Sequence, residues 1–399
     1  MVGTPLNLGR LADPMLIDEI PDSPILSLID RIFELRRRGE PVLGLHIGEP
    51  DFETPVGIRD AAYRAMNEGF TRYVSAQGMP DLREAIAGRL SSRHHIPVTA
   101  DDMVVLSAKF AIYASLLATV TAGDEVLLPD PTYLFDQPVR LTGAKPVYVP
   151  LRRDFSLDPE ALENAVTPRS RLLILVTPGN PTGRILRRDE VKAAIAIARD
   201  HNLTILSDET YESLIYEGTH VAPASLAQAD VPVVTVGSFS KIYAMTGWRV
   251  GFAAAPPTIR ARLVKVMEHT LTCIPPFIQK ACLWALQNAG PDEARFREIF
   301  RQRRDGLLAR LDDLPGITYA RPEGAFYVFP AYDLRMTSVE FARRLLDEER
   351  LALVPGSSFG PRGEGHVRIS YSSSVDQLDD GMQRLGRFLE RHGAQRGER

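Results

Sequence analysis

Between Ser238 and Gly251 the chain reads SFSKIYAMTGWRVG, which sets a lysine among small hydroxyl residues and an arginine eight positions further on. A lysine amine can form a Schiff base with a carbonyl, while hydroxyls and a guanidinium are the groups that gather around a phosphate. The pattern points to an amine that meets a phosphorylated carbonyl compound. The β-branched run Val233 to Val236 before it predicts a buried strand that delivers Ser238, Ser240 and Lys241 into a turn. A Ser-capped turn with a solvated lysine would have the same letters. Lysine usage weighs against that reading, because the other lysines are only Lys109, Lys145, Lys192, Lys265 and Lys280, and arginine supplies the remaining basic residues.

Two further segments share this logic. Asn180 to Gly183 (NPTG) follows the apolar run LLILVTP, and alone it is a Pro-Gly turn of a common kind. Twenty-eight residues after Asn180, LTILSDETY sets Asp208 and Tyr211 at the end of another predicted strand. A carboxylate at a buried strand end is costly unless something pairs with it. Asp208 either caps a helix or keeps a ring nitrogen protonated, which makes the ring a better electron sink. In an open α/β sheet, three successive strand ends carrying NPTG, SDETY and SFSK would converge on one pocket.

The frame that must position these groups is legible as alternation. Strands are predicted at Met103 to Leu106, Glu125 to Leu128, Lys145 to Val149, Leu172 to Val176, Thr204 to Ser207, Val233 to Val236 and Val250 to Ala255. Helical periodicity lies between them, as in Ala111 to Val120 and Glu190 to His201. The expectation is an α/β fold, with a large domain built on a mainly parallel seven-stranded sheet flanked by helices and a smaller α+β domain. The large domain is expected over residues 51–285. The small domain is expected from residues 1–50 with 286–399, because the first fifty residues are too short to fold alone. There, helical spacing covers Ile25 to Arg38, a short strand Val42 to Ile47, and a long Arg-rich helix Asp292 to Leu311; GAFYVFP and GHVRISYS read as strands.

Composition bounds the function classes. At 399 residues, 44% hydrophobic and 25% charged, the chain falls in the two-domain globular range. A formal net charge of -4 leaves no basic excess for a phosphate backbone, so nucleic acid is not an expected partner. The N-terminus MVGTPLNLGRLADP lacks the pattern of a secretory signal, and no apolar run approaches the roughly 18–20 residues of a membrane span. The expectation is a cytoplasmic protein with no membrane partner. Cys273 and Cys282 make neither a disulfide framework nor a zinc site and read as small buried residues, and no metal is expected.

With these motifs in view, the chain resembles the fold type I, pyridoxal 5'-phosphate-dependent aminotransferases of class I/II, from about Ile25 to about Phe388. The resemblance implies that Lys241 holds the cofactor covalently, that Asp208 partners the pyridinium nitrogen, and that Tyr211 and Asn180 bond the ring's 3'-oxygen. It implies phosphate contacts from Ser238, Ser240 and Arg249, and from Ser107, Ala108 and Lys109 at the start of a helix. Many members have glycines where this chain has Ser107-Ala108. Tyr133 matches the aromatic that stacks on the ring, or is a core aromatic. Arg368, in HVRISYS, matches the arginine that grips the substrate α-carboxylate, the other reading being a structural ion pair. Gly48 would bring a backbone amide to that carboxylate. Tyr73 matches a tyrosine that reaches the phosphate of the other subunit, which implies a homodimer with shared active sites.

The reaction the resemblance implies is ping-pong transfer of an amino group from an L-amino acid to a 2-oxo acid, with Lys241, Asp208 and Tyr211 as the catalytic residues. β-Elimination, cyclisation or O2-dependent oxidation on the same scaffold would use the same motifs. A regulatory domain that binds the cofactor without turnover would carry an added DNA-binding domain, and only a short arm precedes the fold. Ile25 lies in the segment that lines the side-chain pocket and hints at neutral or aromatic donors. Lys109 matches a lysine of some dicarboxylate-using members and hints at an acidic partner.

Overall fold

The computed structural model describes residues 16–20, 24–227 and 229–393. Seven strands form the large sheet: β1 (Met103–Leu106), β2 (Glu125–Asp130), β3 (Lys145–Pro150), β4 (Ser170–Val176), β5 (Thr204–Asp208), β6 (Val233–Ser238) and β7 (Gly251–Ala254). Their order across the sheet is β1-β7-β6-β5-β4-β2-β3, and all pairings are parallel except those of β7 with β1 and β6. Strands β1, β2, β6 and β7 are buried at every residue, as both faces carry helices, which is why they read as continuous apolar runs without alternation.

Register explains why distant motifs meet. Asp208 stands opposite Val176 of β4 on one side and Val236 of β6 on the other. The turns after these three parallel strands therefore begin at one level of the sheet. The inserted antiparallel β7 aligns the next row, because Gly251 pairs with Ser238 on β6 and with Leu106 on β1. A Cβ on Gly251 would lie 2.5 Å from the Gly237 carbonyl oxygen and 3.1 Å from the Ala108 nitrogen, so only glycine lets the three backbones approach this closely.

Flanking helices follow from their apolar spacing. Helix Arg188–Asp200 buries Val191, Ala194, Ile195 and Ala198. Helix Ala108–Thr119 is apolar nearly all round and lies against β6 and β7, with Ser107 as its N-cap accepting from the Phe110 amide at 3.4 Å.

A second hydrophobic core gathers Phe296, Phe300, Leu307 and Leu311 of helix Gly290–Asp312 with Leu378, Met382, Leu385 and Phe388 of helix Val375–Arg391. Beside it a three-stranded antiparallel sheet runs Tyr327–Val328, Val367–Ser370, Val354–Pro355, with Arg368 on the central strand opposite Val354. Val367 and Ile369 enter the core, so the pleat turns Arg368 to the other face. The expected strand Val42 to Ile47 is shorter, only Leu43–Gly44, pairing in parallel with Leu351–Ala352. Helix Pro24–Arg37 packs through Leu28, Ile32 and Leu35 on Leu346 and Ala352. Both contacts tie the start of the chain to its C-terminal part.

Candidate active site

A cavity of about 290 Å³ opens above the strand ends. It is lined by Ile25, Gly48, Ala108, Lys109, Tyr133, Asn180, Asp208, Tyr211, Ser238, Ser240, Lys241, Arg249 and Arg368, residues that come from both cores. Ser107 does not line it but caps the helix whose first residues do. Tyr73 is 86% exposed and lies outside this chain's cavity.

Lys241 sits in the four-residue helix Phe239–Ile242, whose N-cap Ser238 accepts from the Ser240 amide at 3.1 Å. Its Nζ donates to the Gly48 carbonyl oxygen at 2.5 Å. Desolvation pushes the ammonium down to about 8, Glu49 acts the other way, and the charges of Arg368 and Arg249 add to the lowering. A substantial neutral fraction of the amine is thus present near physiological pH.

Asp208 is buried, and its Oδ1 accepts from the Thr210 amide at 3.0 Å and the Thr210 hydroxyl at 2.6 Å. Burial pushes its carboxyl up, against those two hydrogen bonds. No hydrogen bond reaches Oδ2 from the described residues. A carboxylate so placed is stabilised by a cation brought beside it. Tyr211 shares a 2.8 Å hydrogen bond with the Tyr327 hydroxyl, and burial raises both phenols, Tyr327 to about 12.

Arg368 is 6% exposed, yet among the described residues it has no carboxylate partner. Nη1 donates to Asn180 Oδ1 at 3.1 Å and Nη2 to the His46 carbonyl oxygen at 2.7 Å, while Nε is buried without an acceptor. Its guanidinium lies 4.5 Å from the Tyr327 ring and 5.0 Å from the Phe359 ring. Burial and then the Arg368 charge push neighbouring His46 down to about 4, so His46 stays neutral. A buried guanidinium without a counter-anion is a receptor for one.

The NPTG turn holds Asn180 through its own hydrogen bonds, Gly179 N–H to the Arg184 carbonyl at 2.7 Å and Gly183 N–H to the Gly179 carbonyl at 2.9 Å. Gly183 has φ +68°, and a Cβ there would meet Pro322 Cβ at 2.4 Å and the Tyr327 carbonyl oxygen at 2.8 Å. This turn is therefore the seat for the C-terminal part of the site.

Residues 40–385 match the family described as aminotransferase class I and II. The chain belongs to that family. Among its relatives, the aspartate aminotransferase of Pyrococcus abyssi is 39% identical, over 91% of this chain and 95% of that protein. That of Geobacillus stearothermophilus is 37% identical, over 94% of this chain and 98% of that protein. The solved structure of Thermus thermophilus aspartate aminotransferase with maleate has a TM-score of 0.89 at 34% identity, covering 94% of this chain and 98% of that one. This class I/II aminotransferase is accordingly an enzyme of amino-group transfer on the α/β fold of its relatives.

The residues present fit pyridoxal 5'-phosphate. The cavity holds an amine for its aldehyde and a buried carboxylate for its ring nitrogen. For its phosphate there are the free amides at the start of helix Ala108–Thr119, Ser238, Ser240 and Arg249. Arg249 reaches this wall in a left-handed conformation, φ +55°. Tyr133 is half-buried, with Lys109 Nζ 5.5 Å from its ring centre.

Tyr327, Thr210, Ile112, Leu134 and Val176 also line the cavity and were not singled out by sequence reasoning. Val176 and Thr210 flank motifs that were recognised. Tyr327 lies in GAFYVFP, which carried only the signal of a strand, and its contact with Tyr211 spans 116 positions.

Proposed function

We propose that this aminotransferase holds pyridoxal 5'-phosphate on Lys241 and passes an amino group from an L-amino acid to a 2-oxo acid in two half-reactions. The meeting of the depressed Lys241 amine, the buried Asp208 carboxylate and the uncompensated Arg368 guanidinium in one cavity carries this reading. When bound, the cofactor supplies an electron sink that lets the substrate Cα–H bond break.

The chain's own residues then divide the work. Arg368 binds the α-carboxylate, and the contacts of its guanidinium with Asn180 and the two aromatic rings orient the Cα–H bond. Lys241 Nζ, poised by desolvation, takes the proton from Cα and returns it, as a group with a value near working pH does best. Asp208 would keep the ring nitrogen charged, and Tyr211 and Asn180 would bond the ring oxygen. Ile112, Leu134 and Val176 give the cavity an apolar wall that would limit water around a bound cofactor.

One of the two carbon skeletons is a dicarboxylate. Besides Lys241, Arg249 and Arg368, Lys109 supplies a further cation in the cavity with no carboxylate partner among the described residues, and relatives named above are aspartate aminotransferases. We further propose the division into residues 51–285 and 1–50 with 286–399, a cytoplasmic location, and a homodimer in which Tyr73 reaches the neighbouring subunit's phosphate site. No helix among the described residues is long and apolar enough to cross a membrane.

The test is an absorbance titration of cofactor-loaded protein with single amino acids under anaerobic conditions. A spectral change driven by a dicarboxylic amino acid alone, and reversed by a 2-oxo acid, is the expected result. Ammonia release without that reversal would instead mean elimination, and ammonia that appears only when O2 is admitted would mean oxidation.

A further inference from the structure

One buried carboxylate outside the residues assigned above bridges the large sheet and the C-terminal part of the fold. Asp130 ends β2, and its oxygens accept from the main-chain N–H of Arg362 at 3.1 and 3.3 Å. No salt bridge joins it to a basic side chain among the described residues. Burial pushes its carboxyl up to about 6, against the hydrogen bond and charge of Arg362.

The segment it holds comprises two short turns, Gly356–Phe359 and Pro361–Gly363, joined at Gly360. Gly360 has φ +114°, and a Cβ built there would lie 2.2 Å from Asp130 Oδ1. The carboxylate thus occupies the space that any side chain at 360 would need. One residue earlier, the Phe359 carbonyl oxygen accepts from the Thr132 amide at 2.9 Å. The Phe359 ring is buried against Phe329 and lies 5.0 Å from the Arg368 guanidinium. Two aromatic contacts and two single hydrogen bonds hold that guanidinium, and its Nε has no protein acceptor. Paired hydrogen bonds to a carboxylate demand a defined guanidinium plane, so whatever seats Phe359 also sets substrate affinity.

We propose that Asp130 is a positioning residue for substrate binding: by anchoring the Gly360–Arg362 turn it seats the Phe359 ring against Arg368 and so fixes the plane that the substrate carboxylate meets. The inference rests on the reading of Arg368 as the carboxylate-binding group. Asp130 itself does not line the cavity.

The experiment titrates cofactor-loaded protein with maleate, a dicarboxylate with no amino group to transfer, by calorimetry. Wild type is compared with Asp130→Ala, Asp130→Asn, Phe359→Leu, Asp130→Ala with Phe359→Leu, and Arg368→Met. Asp130→Ala should weaken maleate and raise KM for the amino donor by about five- to tenfold, leaving kcat and cofactor absorbance in place. Phe359→Leu should cause a similar loss, and the double variant should be little worse than either, because both act through one contact. Asp130→Asn should fall between wild type and Asp130→Ala, and it carries the test if the alanine variant does not fold.

Maleate affinity within twofold of wild type in Asp130→Ala, with Arg368→Met clearly weakened, would overturn the positioning role alone. So would additive losses in the double variant, or a fall in kcat and cofactor content as large as the fall in affinity. If Arg368→Met itself binds maleate normally, the reading of Arg368 fails and this inference fails with it.

Discussion

Arg368→Met separates a carboxylate receptor from a structural ion pair. Methionine fills similar volume without charge, so the space between Tyr327 and Phe359 stays occupied. The substitution leaves Asn180 Oδ1 and the His46 carbonyl oxygen without their donor, at a cost of about 1–3 kcal/mol each. Against this, it removes a buried cation that has no anion and a buried Nε that has no acceptor, a burden of several kcal/mol. The opposing effects leave stability changed by only about 1–2 kcal/mol. Substrate binding behaves differently, because two charge-assisted hydrogen bonds at about 1.5–3 kcal/mol each are lost without compensation. The expected result is kcat/KM reduced on the order of 10²–10⁴-fold with the thermal midpoint nearly unchanged. His46 gives an independent readout, since loss of the neighbouring charge should raise its pKa from about 4 in an NMR titration. A large drop in thermal midpoint with kcat/KM within about tenfold of wild type would refute the reasoning and make Arg368 a structural residue.

Other consequences follow from named groups. Lys241→Ala should fold normally and lose all turnover, and residual wild-type activity would remove Lys241 from the mechanism. Capture of pyridoxal 5'-phosphate by the stripped wild-type protein should speed up with pH and level off above about 8, since the neutral amine attacks. A rate still climbing towards the ordinary lysine value of 10.5 would contradict the desolvation argument. Asp208→Asn should lower kcat on the order of 10²–10³-fold with the circular dichroism spectrum intact, the scale of removing one preorganised electrostatic partner. Glu212 is held by Arg89 at 2.8 Å and His94 at 2.8 Å; burial would raise its carboxyl, but His94, Arg89 and Arg93 hold it well below the usual range. Glu212→Gln should therefore cost about 3 kcal/mol at neutral pH. A depressed carboxyl stabilises the fold above its unfolded value and loses that effect as pH falls through the folded one. The gap between variant and wild type should hold above pH 4.5 and close only in stronger acid, and a gap independent of pH would deny the charge its role.

How much of this was legible beforehand depends on whether local physics governed the feature. The central strands of the large sheet were visible because burial on both faces needs unbroken β-branched and apolar runs, and the part-exposed edge strand β3 because Val147 to Val149 keep its apolar character. The strand near Val42 to Ile47 shrank to Leu43–Gly44 because its ladder is set by a partner, Leu351–Ala352, more than three hundred residues away. Asn180, Asp208, Tyr211, Ser238, Ser240 and Lys241 met around the cavity because their motifs follow strand ends that one register aligns, whereas Ile25, Gly48 and Arg368 were brought there by packing of the C-terminal part. Tyr327 and Phe359 escaped notice because an aromatic in a strand or turn has no local mark of what its ring will face.

The amino-acid sequence by itself determined the chemistry available and the α/β frame: a lysine, an aspartate and an arginine on elements whose apolar periodicity dictates where each strand must lie. Only the tertiary structure decided how those groups behave. Desolvation brought Lys241 down to about 8, the lack of a carboxylate partner among the described residues left Arg368 as a receptor, and Asp130 came to hold a turn 232 positions away. Electrostatic character depends on burial and on neighbours in space, and neither is a property of residues taken in order.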